Sequence, residues 1–165
     1  METKLGEGST FHIYLPAVRD QIPPEPARSD GILRGRGRVL AMDDDGSLRL
    51  VLRMMLKHLG YEPTLATEGG EVLELYRQAQ EAGQPFDVVL MDLSVEDGMD
   101  GFEATQRLLE MDPRARVIVV TGHSDAPAAA DYRQAGFAAN IRKPFDVRHL
   151  GQVLHQVLRG ECGII

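Results

Sequence analysis

Apolar positions along this chain change rhythm at Arg38. Before it, Phe11-His12-Ile13-Tyr14-Leu15 shows the two-residue period of a single strand. After it, short apolar runs alternate with helical spacings. Val39-Leu40-Ala41-Met42 is such a run, and Leu48, Val51, Leu52, Met55, Leu56 and Leu59 then recur at helical intervals. That spacing predicts a helix over 47–59, with Gly60 placed just past its end. The same rhythm predicts strands at 63–66, 87–91, 117–120 and 138–141, and helices at 71–82, 102–111, 126–135 and 146–158. Strands that read as continuous apolar runs are covered on both faces, so the pattern is α/β: a doubly wound, five-stranded parallel sheet flanked by five helices. In such sheets ligands collect outside the carboxyl ends of the strands, which makes the polar residues closing each strand the candidates for chemistry.

The segment ahead of Arg38 has a different composition. Residues 16–37 hold Pro16, Pro23, Pro24 and Pro26 together with Gly31, Gly35 and Gly37, the signature of a linker. A lone strand before it cannot fold by itself. Residues 1–17 therefore read as a piece of another unit, 18–37 as a Pro/Gly-rich linker, and 38–160 as the domain.

Charge sharpens this division. The 165 residues carry a formal charge of −7, but residues 1–37 hold five acids and five bases, whereas 38–165 hold twenty acids against thirteen bases. An acidic domain is a poor electrostatic match for nucleic acid. No apolar run approaches the roughly 20 residues that span a bilayer, and the first residues have no apolar signal core. Cys162 is the single cysteine, so no disulfide framework forms and a reducing compartment is expected. The expectation is a soluble, cytoplasmic protein with neither nucleic acid nor membrane as partner.

The strand ends carry Asp43-Asp44-Asp45, Asp92, Thr121 and Lys143. Taken singly, each has an ordinary explanation: an aspartate caps the next helix, a threonine makes a turn, a lysine is solvated. Together at one sheet edge they have another. Converging carboxylates repel unless a cation neutralises them, and oxygen ligands without a His/Cys cluster favour Mg²⁺ over Ca²⁺. A metal beside a carboxylate, a hydroxyl and an ammonium suits phosphoryl transfer, and a carboxylate can itself accept the group as an aspartyl phosphate.

The ordered motifs DDD (43–45), LMDLSVEDGMDG (90–101), VVTGHS (119–124) and KPF (143–145) resemble a response-regulator receiver domain. The resemblance implies a flavodoxin-like receiver fold in which Asp92 accepts a phosphoryl group from a kinase phosphohistidine. Asp44, Asp92 and the backbone carbonyl of Ser94 would bind Mg²⁺, with Asp43 acting mainly through metal-bound water. Thr121 would hydrogen-bond one phosphoryl oxygen and Lys143 pair with another, the lysine preceding a cis Pro144. A histidine kinase or histidine phosphotransfer domain is the implied partner, and the resemblance offers the face built from the receiver's fourth helix, fifth strand and fifth helix as a candidate homodimer surface. Phosphotransfer and self-dephosphorylation are implied, but no kinase activity from this chain.

Several positions depart from the commoner pattern or stand where relatives vary. Gly101 stands nine positions after Asp92, one more than in many receivers, and Glu96 replaces a usual proline. Asn140 stands where many receivers carry the Tyr or Phe of an aromatic switch, and His123 lies where relatives tune dephosphorylation. Ahead of the linker, GEGSTFHIYLP (6–16) resembles the end of a histidine-kinase ATPase domain, with Gly6, Gly8 and Thr10 matching its glycine-rich box. The motifs expected upstream are absent, so this piece does not bind ATP by itself. The chain reads as the C-terminal part of a hybrid histidine kinase or the product of an internal start site, acting through a partner because no output module follows its last helix.

Two other functions fit parts of the pattern. Asp43-Asp44-Asp45-Gly46-Ser47-Leu48 also resembles the nucleophile motif of haloacid-dehalogenase-type phosphatases, with Asp43 attacking phosphate and Asp45 as acid/base. That reading needs an acidic pair after Lys143 and a cap insertion, and leaves Asp92 unexplained. A pseudo-receiver, binding protein without phosphoryl chemistry, would not need Asp92, Thr121 and Lys143 together.

Overall fold

The computed structural model describes residues 2–4, 8–12, 14, 32–93, 98–122, 132 and 134–160. The chain divides into two compact units, Met1–Gly31 and Ile32–Ile165. In the first, β1 (Glu2–Lys4) pairs antiparallel with β2 (Gly8–Thr10). Of the strand expected over 11–15, the described residues are Phe11, His12 and Tyr14. Phe11, His12 and Tyr14 lie outside any strand, and Phe11 and Tyr14 are 69% and 89% exposed. Alternation specifies a strand only when a neighbour covers one face, and here the pairing lies at 2–4 with 8–10 instead.

In the second unit the apolar runs become strands β3 (Arg38–Met42), β4 (Glu62–Ala66), β5 (Val88–Asp92), β6 (Val117–Thr121) and β7 (Ala139–Arg142). They form one parallel sheet in the order β4-β3-β5-β6-β7. Four helices occur among the described residues: α1 (Gly46–His58), α2 (Gly69–Glu81), α3 (Gly101–Met111) and α4 (Val147–Leu158). The helix expected at 126–135 falls mostly outside the described residues.

Successive residues of each strand serve opposite cores, which is why the runs are unbroken. Val39, Ala41, Val88, Leu90, Ile118 and Val120 pack with Leu52 and Leu56 of α1 and Leu150, Val153 and Leu154 of α4. Leu40, Met42, Val89, Met91 and Val119 pack on the other face with Val72 and Tyr76 of α2 and Ala104 and Leu108 of α3. Asp100 and Asp146 cap the starts of α3 and α4 by accepting the Glu103 and His149 N–H groups. The strand order turns back on either side of β3 and β5, so the crevice between their carboxyl ends is the switch point where doubly wound sheets hold ligands.

Candidate functional site

Register brings the two key carboxylates together. Met42 of β3 pairs with Met91 of β5, so Asp43 and Asp92 both stand one residue beyond the same rung. Each is 1% exposed. Lys143, just after β7, reaches back to both: its Nζ donates to Asp92 Oδ2 at 2.7 Å and to Asp43 Oδ2 at 2.9 Å. Its backbone N–H donates to the Thr121 carbonyl at 2.8 Å, which ties the lysine loop to the end of β6. The Lys143–Pro144 peptide is cis. Thr121 is buried at the end of β6, with Asp92 paired to its neighbour Val120.

The electrostatics follow from burial and pairing. Burial pushes the Asp43 carboxyl above the usual carboxylate range, and the Lys143 ammonium and the Asp45 N–H pull it only partly back. Burial also works against the Lys143 ammonium, but its hydrogen bonds and charge pairing with Asp43 and Asp92 outweigh this and hold it above the ordinary lysine value. One cation thus serves two buried carboxylates.

The three aspartates of the first motif do three different things. Asp43 points inward, and its Oδ1 accepts the Asp45 N–H at 2.9 Å. Asp44 is exposed. Asp45 is the N-cap of α1, its carboxylate accepting the N–H groups of Leu48 (3.2 Å) and Ser47 (2.7 Å), which hold it below the usual carboxylate range. A carboxylate committed to a helix cap is not poised as the acid/base of a phosphatase beside Asp43. Oxygen atoms of Asp43, Asp44 and Asp92 lie within 4.8 Å of one another. Three hard oxygen donors, two of them buried and both paired with the Lys143 ammonium, fit a hard divalent cation. Ser94 and His123 lie outside the described residues. Asn140, on β7, has a buried Oδ1 without a hydrogen-bond partner.

Sequence reasoning passed over two neighbours of the site. Arg49, in the first turn of α1, donates from Nη1 to the carbonyl oxygens of Asp43 (2.7 Å) and Asp44 (2.8 Å). Glu68, ahead of α2, accepts the Met99 N–H (3.2 Å), and the Gly69 N–H donates to the Met99 carbonyl (3.0 Å), so the segment entering α3 is fastened to the β4–α2 corner. In the sequence Arg49 reads only as a solvated arginine in the first turn of α1. For Glu68 no sequence signal separates it from a solvated helix start.

Beside the acidic crevice lies an apolar groove of about 420 Å³, lined by Leu48, Val51, Leu52 and Met55 of α1 and by Pro144 and Phe145, with Asp43 and Lys143 at one end. Leu48 and Val51 are exposed along it.

A doubly wound parallel sheet with a carboxylate cluster and a bridging lysine at its switch point defines an α/β domain with an acidic site at its strand ends. Residues 39–155 match the model of the response regulator receiver domain, and the chain belongs to that family. It is 38% identical over 112 residues to the DNA-binding transcriptional regulator NtrC of Escherichia coli K12, covering 68% of this chain and 23% of that one, so it spans about a quarter of that relative. It is 30% identical over 121 residues to the chemotaxis protein CheY of Thermotoga maritima, covering 73% of this chain and 96% of the relative. Among solved structures, a CheY-like receiver domain protein from Methanospirillum hungatei matches with a TM-score of 0.64 and 28% identity over 77% of this chain and 97% of the other. The expected fold is therefore the one observed, and the chain is a receiver domain of two-component signalling. No helix among the described residues is long and apolar enough to cross a membrane.

Proposed function

We propose that Asp92 accepts a phosphoryl group from a phosphohistidine and that this chain is a station in a phosphorelay. The observation that carries the reading is the buried Asp92 carboxylate held at 2.7 Å by Lys143 beside Asp43. An Asp92 oxygen forms the new O–P bond as the P–N bond to the donor imidazole breaks. The imidazole leaves with the electron pair and regains its proton from solvent. Lys143 moves from pairing two carboxylates to pairing a phosphoryl oxygen, so its charge stays at the site as the group arrives. The Thr121 hydroxyl, at the end of the adjacent strand, is the donor for a second oxygen. Asp43, Asp44 and Asp92, with the Ser94 carbonyl, would hold Mg²⁺, which when bound neutralises charge on the transferring group. Attack of water on phosphorus then breaks the Asp92 O–P bond, releasing inorganic phosphate and restoring the carboxylate.

The donor in this reading is a histidine kinase or phosphotransfer domain, in the cytoplasm. Its support is the apolar groove that ends at Asp43 and Lys143: a donor helix laid along Leu48, Val51 and Met55 would bring its histidine to the crevice. Residues 1–17 are proposed as the last piece of a histidine-kinase ATPase domain, 18–37 as linker and 38–160 as the receiver. Gly8 and Thr10 lying on a strand of a two-stranded hairpin, a unit too small to fold alone, supports a piece of a larger sheet.

The test is incubation with acetyl phosphate and Mg²⁺ followed by intact-mass analysis. One labile phosphoryl adduct, lost on base treatment and absent from Asp92→Asn, is expected. An adduct that survives in Asp92→Asn and disappears in Asp43→Asn would point to phosphatase chemistry instead.

A further inference from the structure

The acidic turn between β3 and α1 is closed by three sets of hydrogen bonds. Asp43 accepts the Asp45 N–H, Asp45 accepts the Ser47 and Leu48 N–H groups, and Arg49 sends one N–H nitrogen to two successive carbonyl oxygens, those of Asp43 and Asp44. The Arg49 N–H itself donates to the Asp45 carbonyl at 2.9 Å as the first bond of the helix. Asp44 differs from its neighbours: its carboxylate makes none of these bonds, and it is exposed. The direction of the Asp44 side chain is therefore set by its backbone, and the hydrogen bond fixing the backbone immediately after its Cα comes from Arg49.

We infer that Arg49 is a positioning residue for divalent-cation binding, aiming the Asp44 carboxylate by clamping the Asp43 and Asp44 carbonyls. This deepens the reading of the aspartates as a Mg²⁺ site and rests on it. The guanidinium suits the task because its planar fork is stiff and always charged, so one nitrogen can hold two oxygens against the pull of water. Groups that orient metal ligands through such outer contacts typically govern metal affinity by about 10–100-fold.

A competing physical effect gives the opposite sign. A positive charge close to a carboxylate cluster repels an incoming cation, so if Arg49 acted mainly as a counter-charge, removing it would tighten Mg²⁺ binding. Geometry decides between them: the guanidinium is directed at two carbonyls rather than at a carboxylate, and the cluster already has its cation in Lys143.

The experiment is calorimetric titration of the full chain with Mg²⁺ for wild type and for Arg49→Ala, Arg49→Gln and Arg49→Lys, with thermal melts in chelator and in Mg²⁺. Positioning predicts that R49A binds Mg²⁺ about tenfold more weakly, that R49Q, which keeps a neutral N–H donor, lies between, and that R49K, whose ammonium can bridge both carbonyls, stays within about threefold of wild type. The Mg²⁺-induced rise in melting temperature should shrink in the same order, while melting in chelator stays comparable. Should R49A not fold, R49Q alone decides: weaker binding supports the inference. R49A or R49Q binding as tightly as wild type, or more tightly, overturns it. A wild type that takes up no Mg²⁺ overturns the metal reading and the inference with it.

Discussion

Lys143 donates to Asp92 Oδ2 at 2.7 Å from a loop fifty-one residues further along the chain, and the same Nζ holds Asp43. The pairing makes three residues from three different strand ends electrostatically one unit. Lys143→Met removes the ammonium that the two buried carboxylates share. The cost at pH 7 in chelator should be about 2–3 kcal/mol, at or below the range for a wholly buried pair because the lysine side chain is 24% exposed. The sign with pH follows from both shifts. Lys143 sits above the ordinary lysine value, so its contribution is intact at neutral pH and is lost only as pH climbs through that raised value. Asp43 sits above the ordinary carboxylate value, so its proton favours the folded state, and that contribution fades as pH rises through the raised value. Urea unfolding at pH 7 and pH 5 should therefore show the deficit of the variant narrowing on acidification.

Asp45→Ala separates capping from chemistry. Losing the acceptor for the Ser47 and Leu48 N–H groups should lower the melting temperature by a few degrees, followed by circular dichroism. Modification by acetyl phosphate should persist. A loss of modification with no loss of stability would return Asp45 to an acid/base role.

Gly101→Ala tests the floor of the site. Gly101 is buried at the start of α3, and a Cβ there would meet the Asp92 carbonyl oxygen and crowd the Met91 side chain. Overpacking against backbone cannot be relieved by a rotamer change, so about 1–3 kcal/mol of destabilisation is expected, together with slower acetyl phosphate modification of Asp92.

Val51→Asp tests the groove. Val51 is 39% exposed on α1 and does not line the acidic crevice, so folding and acetyl phosphate modification should change little. Transfer from a phosphorylated histidine domain should fall by an order of magnitude or more in a radiolabel transfer assay, because a charge would be buried against the donor helix. Equal loss with both donors would place the effect in the acceptor itself.

The sheet was legible because its strands are buried on both faces and therefore read as unbroken apolar runs; Val88–Asp92 and Val117–Thr121 lie within a residue of the expected bounds. Helix starts were less legible. α2 begins at Gly69 rather than near Glu71, since glycine carries no helical signal even where, as at Gly69, the lack of a side chain lets Met99 approach. At the site, Asp43, Asp44, Asp92, Thr121 and Lys143 were legible as residues closing strands, but their division of labour was not. Three consecutive aspartates look alike in sequence, and whether each turns inward, outward or onto a helix end depends on backbone angles. Arg49 was hidden for a related reason: an arginine on a helix surface signals solvation, and its clamp on Asp43 and Asp44 exists only once the turn has formed.

The pairing of Met42 with Met91 has one further consequence, for how this domain can vary. Inserting or deleting a single residue within β5 would reverse the sidedness of every position after it, exchanging the contents of the two cores and turning Asp92 away from Asp43 in one step. Core and site are thus a single heritable unit along these strands.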